Sequence, residues 1–211
     1  MAGTTSKGAP TFANTDAADF ANDLTAVSTW ASGKIGESAA AAGSLPSPAL
    51  WAGRTITAVD TSAMYLSDGA KWYCLFSPLT SYTPTFTGLT VGAGGSTVAS
   101  WSRSGATVSW RVLITLGTAP VVNDVFISLP IACASSGSAT NVTLLGDATY
   151  VDTSAGSSGR HRGSAARGAS VTTARLLSGT DPMGGVVAAV PFTWASGDQI
   201  SVTGTYLTDV N

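Results

Sequence analysis

From Thr107 to Leu116 apolar and polar residues alternate. Val108, Trp110, Val112, Ile114 and Leu116 share one parity, and Ser109, Arg111 and Thr115 the other, which predicts a strand with one buried face. Residues 102–105 predict a turn before it. A second strand is predicted over 125–129, stopped by Pro130, and others over 141–145, 174–177, 185–192 and 199–206. Gly, Pro and Asp turns separate them, and helix-period patterning does not occur. Residues 82–211 are therefore predicted to form one all-β domain, a jelly-roll-like β-sandwich.

The pattern changes twice before that domain. Over the first segment, 1–48, Ala13, Ala17, Phe20, Leu24, Val27 and Ala31 recur at spacings of four and three, after an Asn14-Thr15-Asp16 capping run. This predicts a short helix. Its apolar seam packs either on its own domain or in a parallel bundle of identical chains, with Phe20, Leu24, Val27 and Ala31 as the trimerisation candidates. An Ala/Gly/Ser/Pro linker over 38–48 then reads as a spacer. The second segment, 49–81, predicts a small β module of three strands, with a hairpin turn at Asp68-Gly69. Such a module is too small to be comfortable alone.

Composition narrows the class. Of 211 residues, 44% are hydrophobic and only 10% charged, against a usual charged share of about 25%. A net charge of −2 gives no reason to expect nucleic acid. No run of 18 apolar residues predicts a membrane helix, so membrane insertion is not expected. The start, 1–10, has no apolar signal core, so synthesis in the cytoplasm without a secretory signal is expected. Cys74 and Cys133 each lie in apolar surroundings and are expected as buried, reduced thiols.

The segment from Tyr82-Thr-Pro84 to Val91, the stretch Trp101-Ser-Arg-Ser-Gly-Ala-Thr-Val-Ser-Trp110-Arg111, then Phe126-Ile-Ser-Leu-Pro130 and Pro191-Phe-Thr-Trp194-Ala-Ser-Gly-Asp198 follow in an order that resembles the C-terminal domain of minor tail and tail-fibre proteins of phages infecting actinobacteria. Ala52-Gly-Arg54, Asp60-Thr61, Tyr65-x-x-Asp68-Gly69 and Trp72 look like a small β module common in phage fibres. The two resemblances cover about three-quarters of the chain. They imply a homotrimer with its N-terminal segment bound to other virion proteins and its C-terminal domain outward. Long shaft repeats are missing, so a short spike or knob is expected. The expected location is the virion, its tail rather than its capsid surface, with a host cell-wall glycopolymer as a further partner. Two rivals share the sequence features: a trimeric capsid decoration or head-fibre protein, and a carbohydrate-binding module or depolymerase fragment.

Chemistry is sparse, and no enzyme activity, cofactor or metal is expected. His161 is the one histidine, and it lies in a Gly/Ser-rich segment that reads as too loose to orient a catalytic base. Most acids, including Asp68, Asp147, Asp181 and Asp198, stand beside Gly or Pro and read as turn formers. Gly92-Ala-Gly-Gly95 opens no helix and reads as a turn rather than a phosphate loop. Arg160, His161, Arg162, Arg167 and Arg175 concentrate charge in one segment, expected to be a loop. Three readings stay open for it: a solvated loop, a tip that meets an anionic or sugar polymer, or inter-subunit ion pairs. Trp110 and Trp194 are expected in the core. Trp101 and Tyr150 join Arg160, His161, Arg162 and Arg167 as receptor-binding candidates.

Overall fold

The computed structural model describes residues 3–4, 10–11, 38–39, 41–135, 140, 142–179 and 184–209. The expected helix, with Phe20, Leu24, Val27 and Ala31, lies outside the described residues. Within them the chain is mostly β and contains no α-helix, only 3-10 turns at Ala42–Ser44, Pro48–Trp51 and Thr153–Ser158. The chain divides into two units, 1–72 and 73–211.

The first unit holds β1 (Gly3–Thr4), β2 (Pro10–Thr11), β3 (Ser38–Ala39), β4 (Thr55–Ala58) and β5 (Met64–Ser67). β1 pairs with β2 antiparallel, β3 runs parallel to β4, and β4 pairs with β5 antiparallel. The linker expected as a free spacer is tied down here. Backbone N–H of Ala42 donates to the Asp60 carboxylate at 3.0 Å, Trp72 Nε1 donates to Pro46 O at 2.8 Å, and Ser67 Oγ donates to Pro48 O at 2.8 Å. The Trp51 and Trp72 rings, 6.1 Å apart, supply apolar surface that the linker's small residues lack. Asp68 makes the predicted turn, its Oδ1 accepting from the N–H of Ala70 and Lys71 at 2.8 Å each.

β6 (Trp72–Ser81) leads into the second unit, which continues with β7 (Phe86–Thr90), β8 (Ser96–Ser104), β9 (Thr107–Thr115), β10 (Val121–Ser128), β11 (Leu144–Val151), β12 (Arg160–Arg167), β13 (Thr173–Ser178) and β14 (Gln199–Leu207). These strands form one antiparallel sheet in the order β6-β8-β9-β14-β11-β12-β13-β10-β7. One face of it encloses a single core, to which β7 near one edge and β8 near the other both contribute, Leu89 and Ala99 among them. The fold is thus sandwich-like. After β7, Val91 O accepts from Gly117 N at 2.8 Å, and Ala93 bonds Thr118 in both directions, so the chain leaving β7 is tied to the chain leaving β9.

The alternation on β9 holds: Val108, Trp110, Val112 and Ile114 are buried while Thr107, Ser109, Arg111 and Leu113 are exposed. Four buried aromatics of this unit find a carbonyl for the polar end. Trp110 Nε1 donates to Leu145 O at 3.0 Å, Tyr150 OH to Leu177 O at 2.9 Å, Trp194 Nε1 to Val187 O at 3.1 Å, and Tyr206 OH to Ile131 O at 2.7 Å. Cys74 and Cys133 are buried and free, as expected, and burial pushes the Cys74 thiol pKa up. No helix among the described residues is long and apolar enough to cross a membrane.

Several expected elements shift. The strand expected over 141–145 starts at Leu144 and runs to Val151, and Asp147 is a strand residue, not a turn former. Residues 185–192 form isolated bridges, Leu177 with Gly185, Asn123 with Val187 and Val187 with Val190, before a cis Val190–Pro191 bond. The cause lies in β10, which carries two extra residues between Val122 and Phe126 relative to its partner β7. That bulge leaves room for 184–187 beside β13, where Ser178 N donates to Gly184 O and Val186 N to Leu176 O.

Gly88 sits at φ 75°, and the backbone oxygens of Asn123 and Asp124 occupy the place of a side chain. Gly88→Ala is expected to cost about 1–3 kcal/mol, checked by chemical denaturation. Tyr82, Tyr150 and Tyr206 have phenol pKa values raised by burial above the ordinary 10.0. The neutral phenol is the favoured folded form, so stability is full below pH 10 and falls as pH rises beyond it. Tyrosinate absorbance should accordingly lag behind that of an unfolded control in an alkaline titration.

Candidate functional site

The segment expected as a basic loop is the strand β12, paired with β11 on one side and β13 on the other. It lacks the apolar alternation of a strand because its inward positions Gly163 and Ala165 are small. Tyr150, on β11, passes beneath β12 to bond Leu177 on β13, and its ring fills the space that a Cβ on Gly163 would need. Ala165, the next inward residue, is fully buried.

Strand parity then sorts the basic residues. Arg160 and Arg162 point outward and are exposed. His161 points the other way, its ring 5.0 Å from that of Phe192, which stacks 4.3 Å from Trp194. Arg167 is half-buried at the strand end. Arg175, on β13, donates from Nε to Asp124 Oδ1 at 2.7 Å and lies 5.8 Å over the Phe126 ring. The five residues do not form one patch; the free-standing pair is Arg160 and Arg162.

That pair belongs to a wide outward face made mostly of hydroxyl side chains. In register across the sheet, one row runs Ser100, Arg111, Thr203, Asp147, Ser164, and the next Val98, Leu113, Ser201, Thr149, Arg162. Arg111 Nε donates to Ser100 Oγ at 2.7 Å. A cleft of about 340 Å³ is lined by Asp147, Ala148, Thr149, Arg162 and Gly163. A broader groove of about 430 Å³ adjoins it at Asp147 and runs over Ser102, Ser109, Arg111 and Thr205 to Leu79. Asp147 and Thr149 are the site residues that sequence reasoning missed. The available signal was strand parity with Tyr150, obscured by reading Gly146-Asp147 as a turn.

The turn before β12 is held by two carboxylates. Asp152 Oδ1 accepts from Ser154 Oγ at 2.6 Å, Ser154 N at 2.9 Å and Ala155 N at 3.3 Å, and these bonds, that of the Ser154 hydroxyl first, hold its carboxyl pKa below the usual value. Asp198, 1% exposed, accepts from Thr153 N and Oγ1 at 2.9 and 3.0 Å and from Ala195 N at 2.7 Å. The acids near His161 are therefore occupied in fixing backbone. Among the described residues no three His, Cys, Asp or Glu side chains gather as a metal site.

One aromatic candidate is corrected. Tyr150 is fully buried, so it offers no stacking surface. Trp101, half-buried, pairs with Trp110 across β8 and β9 and packs against the edge of the core, which leaves its candidacy as it stood. Trp110 and Trp194 are core residues, as expected. Tyr150→Phe is expected to destabilise the fold by about 1–3 kcal/mol, because the Leu177 carbonyl is left buried without its donor. Thermal melts measure this, and binding per folded molecule should stay unchanged.

Compared with known proteins, the chain matches no family model, no curated protein and no solved structure.

Proposed function

We propose that this chain is a non-enzymatic virion protein of a phage infecting actinobacteria, a short homotrimeric tail-fibre or tail-tip protein that contributes to host-surface binding. In this reading the N-terminal segment joins other virion proteins, and the second unit is a jelly-roll-like knob. The supporting observation is the outward pair Arg160 and Arg162, set on a paired strand beside Asp147, Thr149 and a field of hydroxyls. Arginine offers a planar, two-point donor to phosphate or carboxylate on a polymer, and hydroxyls meet sugar hydroxyls. The cleft lies on the outward face of paired strands, where an extended cell-wall glycopolymer can reach it. One such contact is weak, and three on a rigid knob gain avidity. The order of the Tyr82-Thr-Pro84, Trp101–Arg111 and Pro191–Asp198 segments supports the same assignment.

Replacing Arg160 and Arg162 together with Ser should weaken adsorption of the purified protein to host cell walls, most visibly at low salt. Adsorption equal to wild type across a salt series would remove β12 as the contact. Gold labelling of assembled particles should place the protein on the tail, and signal on the head would replace the tail assignment with a decoration role.

A further inference from the structure

We infer that the cleft between β11 and β12 selects an acidic sugar, a hexose with a carboxylate or phosphate at one end of its ring and two adjacent hydroxyls at the other. The inference rests on the host-surface reading above and gives its ligand a chemical class. Asp147, Thr149 and Arg162 line the cleft, and Ser164 stands opposite Asp147. Because Asp147 pairs with Ser164 and Thr149 with Arg162, a carboxylate and a guanidinium hold one diagonal and two hydroxyls the other. Between them lies the backbone of Ala148 and Gly163, which pair with each other and face the core. Asp147 and Arg162 are exposed, and Thr149 and Ser164 are half-buried. Among the described residues none of these four side chains has a hydrogen-bond or ion-pair partner. All four keep their bonding capacity for a ligand.

The charged diagonal sets the class of ligand. Positions offset by two residues across a strand pair stand about 7–8 Å apart, so one ring with polar groups at both ends can bridge Asp147 and Arg162. The guanidinium offers a carboxylate or phosphate two parallel N–H donors. The Asp147 carboxylate only accepts, and its two oxygens can take the protons of two adjacent hydroxyls. A neutral sugar leaves Arg162 without an anion, and a chain of phosphates sets a like charge against Asp147. An acidic sugar satisfies both ends, with the Thr149 and Ser164 hydroxyls free to donate or accept at the sides of the ring. The volume of about 340 Å³ lies at the lower end of the range of small-ligand sites, about 300–1,000 Å³, so the cleft holds a short stretch of polymer. Asp147 is thereby the specificity-determining residue. It favours a hydroxyl-rich polymer with spaced charges and repels a densely charged one.

The test is binding of the full chain to immobilised polygalacturonate, its methyl ester, phosphomannan and linear polyphosphate, with host cell walls alongside and circular dichroism confirming the fold of each variant. Wild type is expected to bind a charged sugar polymer. Binding to polygalacturonate that is lost on its methyl ester identifies a carboxylate as the anionic group, and binding to phosphomannan identifies a phosphate. On the polymer that binds, Arg162→Ser and Asp147→Asn should each weaken affinity about tenfold or more, the loss of a hydrogen bond to a charged group. Asp147→Asn should at the same time strengthen binding to polyphosphate, an opposite sign that a merely structural role does not produce. If Asp147→Asn strengthens binding to sugar polymer and polyphosphate alike, Asp147 only repels and the inference falls. Wall binding without binding to either charged sugar polymer overturns the acidic-sugar assignment alone. A wild type that binds neither walls nor sugar polymers overturns the host-surface reading with it.

Discussion

The second unit depends on the burial of one strand between two long partners. β9 is paired residue for residue with β8 from Ser104↔Thr107 to Ser96↔Thr115, and with β14 from Leu207↔Thr107 to Gln199↔Thr115. Its inward residues Val108, Val112 and Ile114 are at most 1% exposed. Because side chains alternate with a period of two, that register determines which face every neighbouring strand shows to the core. The outward rows of Ser, Thr and Arg are the complement of this inward set. Core and candidate site are thus two readings of the same pairing.

Close approach is the second constraint. Gly146 and Gly204 face each other on β11 and β14, and a Cβ on either would run into the other strand's backbone. Gly95 and Gly117 do the same beside the end of the β8–β9 ladder. At Gly163 the demand comes from a side chain, the Tyr150 ring. Glycine at these positions lowers local strand propensity but lets bulky aromatics cross beneath their neighbours and bond carbonyls two strands away. The polar ends of Trp110 and Tyr150 tie strands two apart in this way, with directional bonds that apolar packing lacks.

This explains what was legible in the sequence and what was not. β9, β13 and β14 could be read because large apolar residues mark their inward faces. β12 could not, because Gly163 and Ala165 carry no hydrophobic signal, while Arg160 and Arg162 make the segment look solvated. Residues 185–192 erred the other way: their Val and Phe content reads as a strand, yet they depend on the bulge in β10 for a place. In the candidate site, Arg160 and Arg162 were readable from charge. Asp147 and Thr149 were not, since their outward direction follows from the pairing of β11 with β12 and β14.

The irregularities of the ladder have a consequence for how the chain tolerates changes of length. β6 has one extra residue between Ser77 and Thr80, and β11 one between Leu144 and Gly146, relative to the strands they pair with. Removing a residue from a regular stretch such as β9 would invert everything beyond it, sending arginine inward and valine outward. Removing one at a bulge merely turns it into ordinary ladder, with both faces kept. The bulges are therefore phase-neutral joints, the places where related chains can differ by a residue while still presenting the same face to the outside.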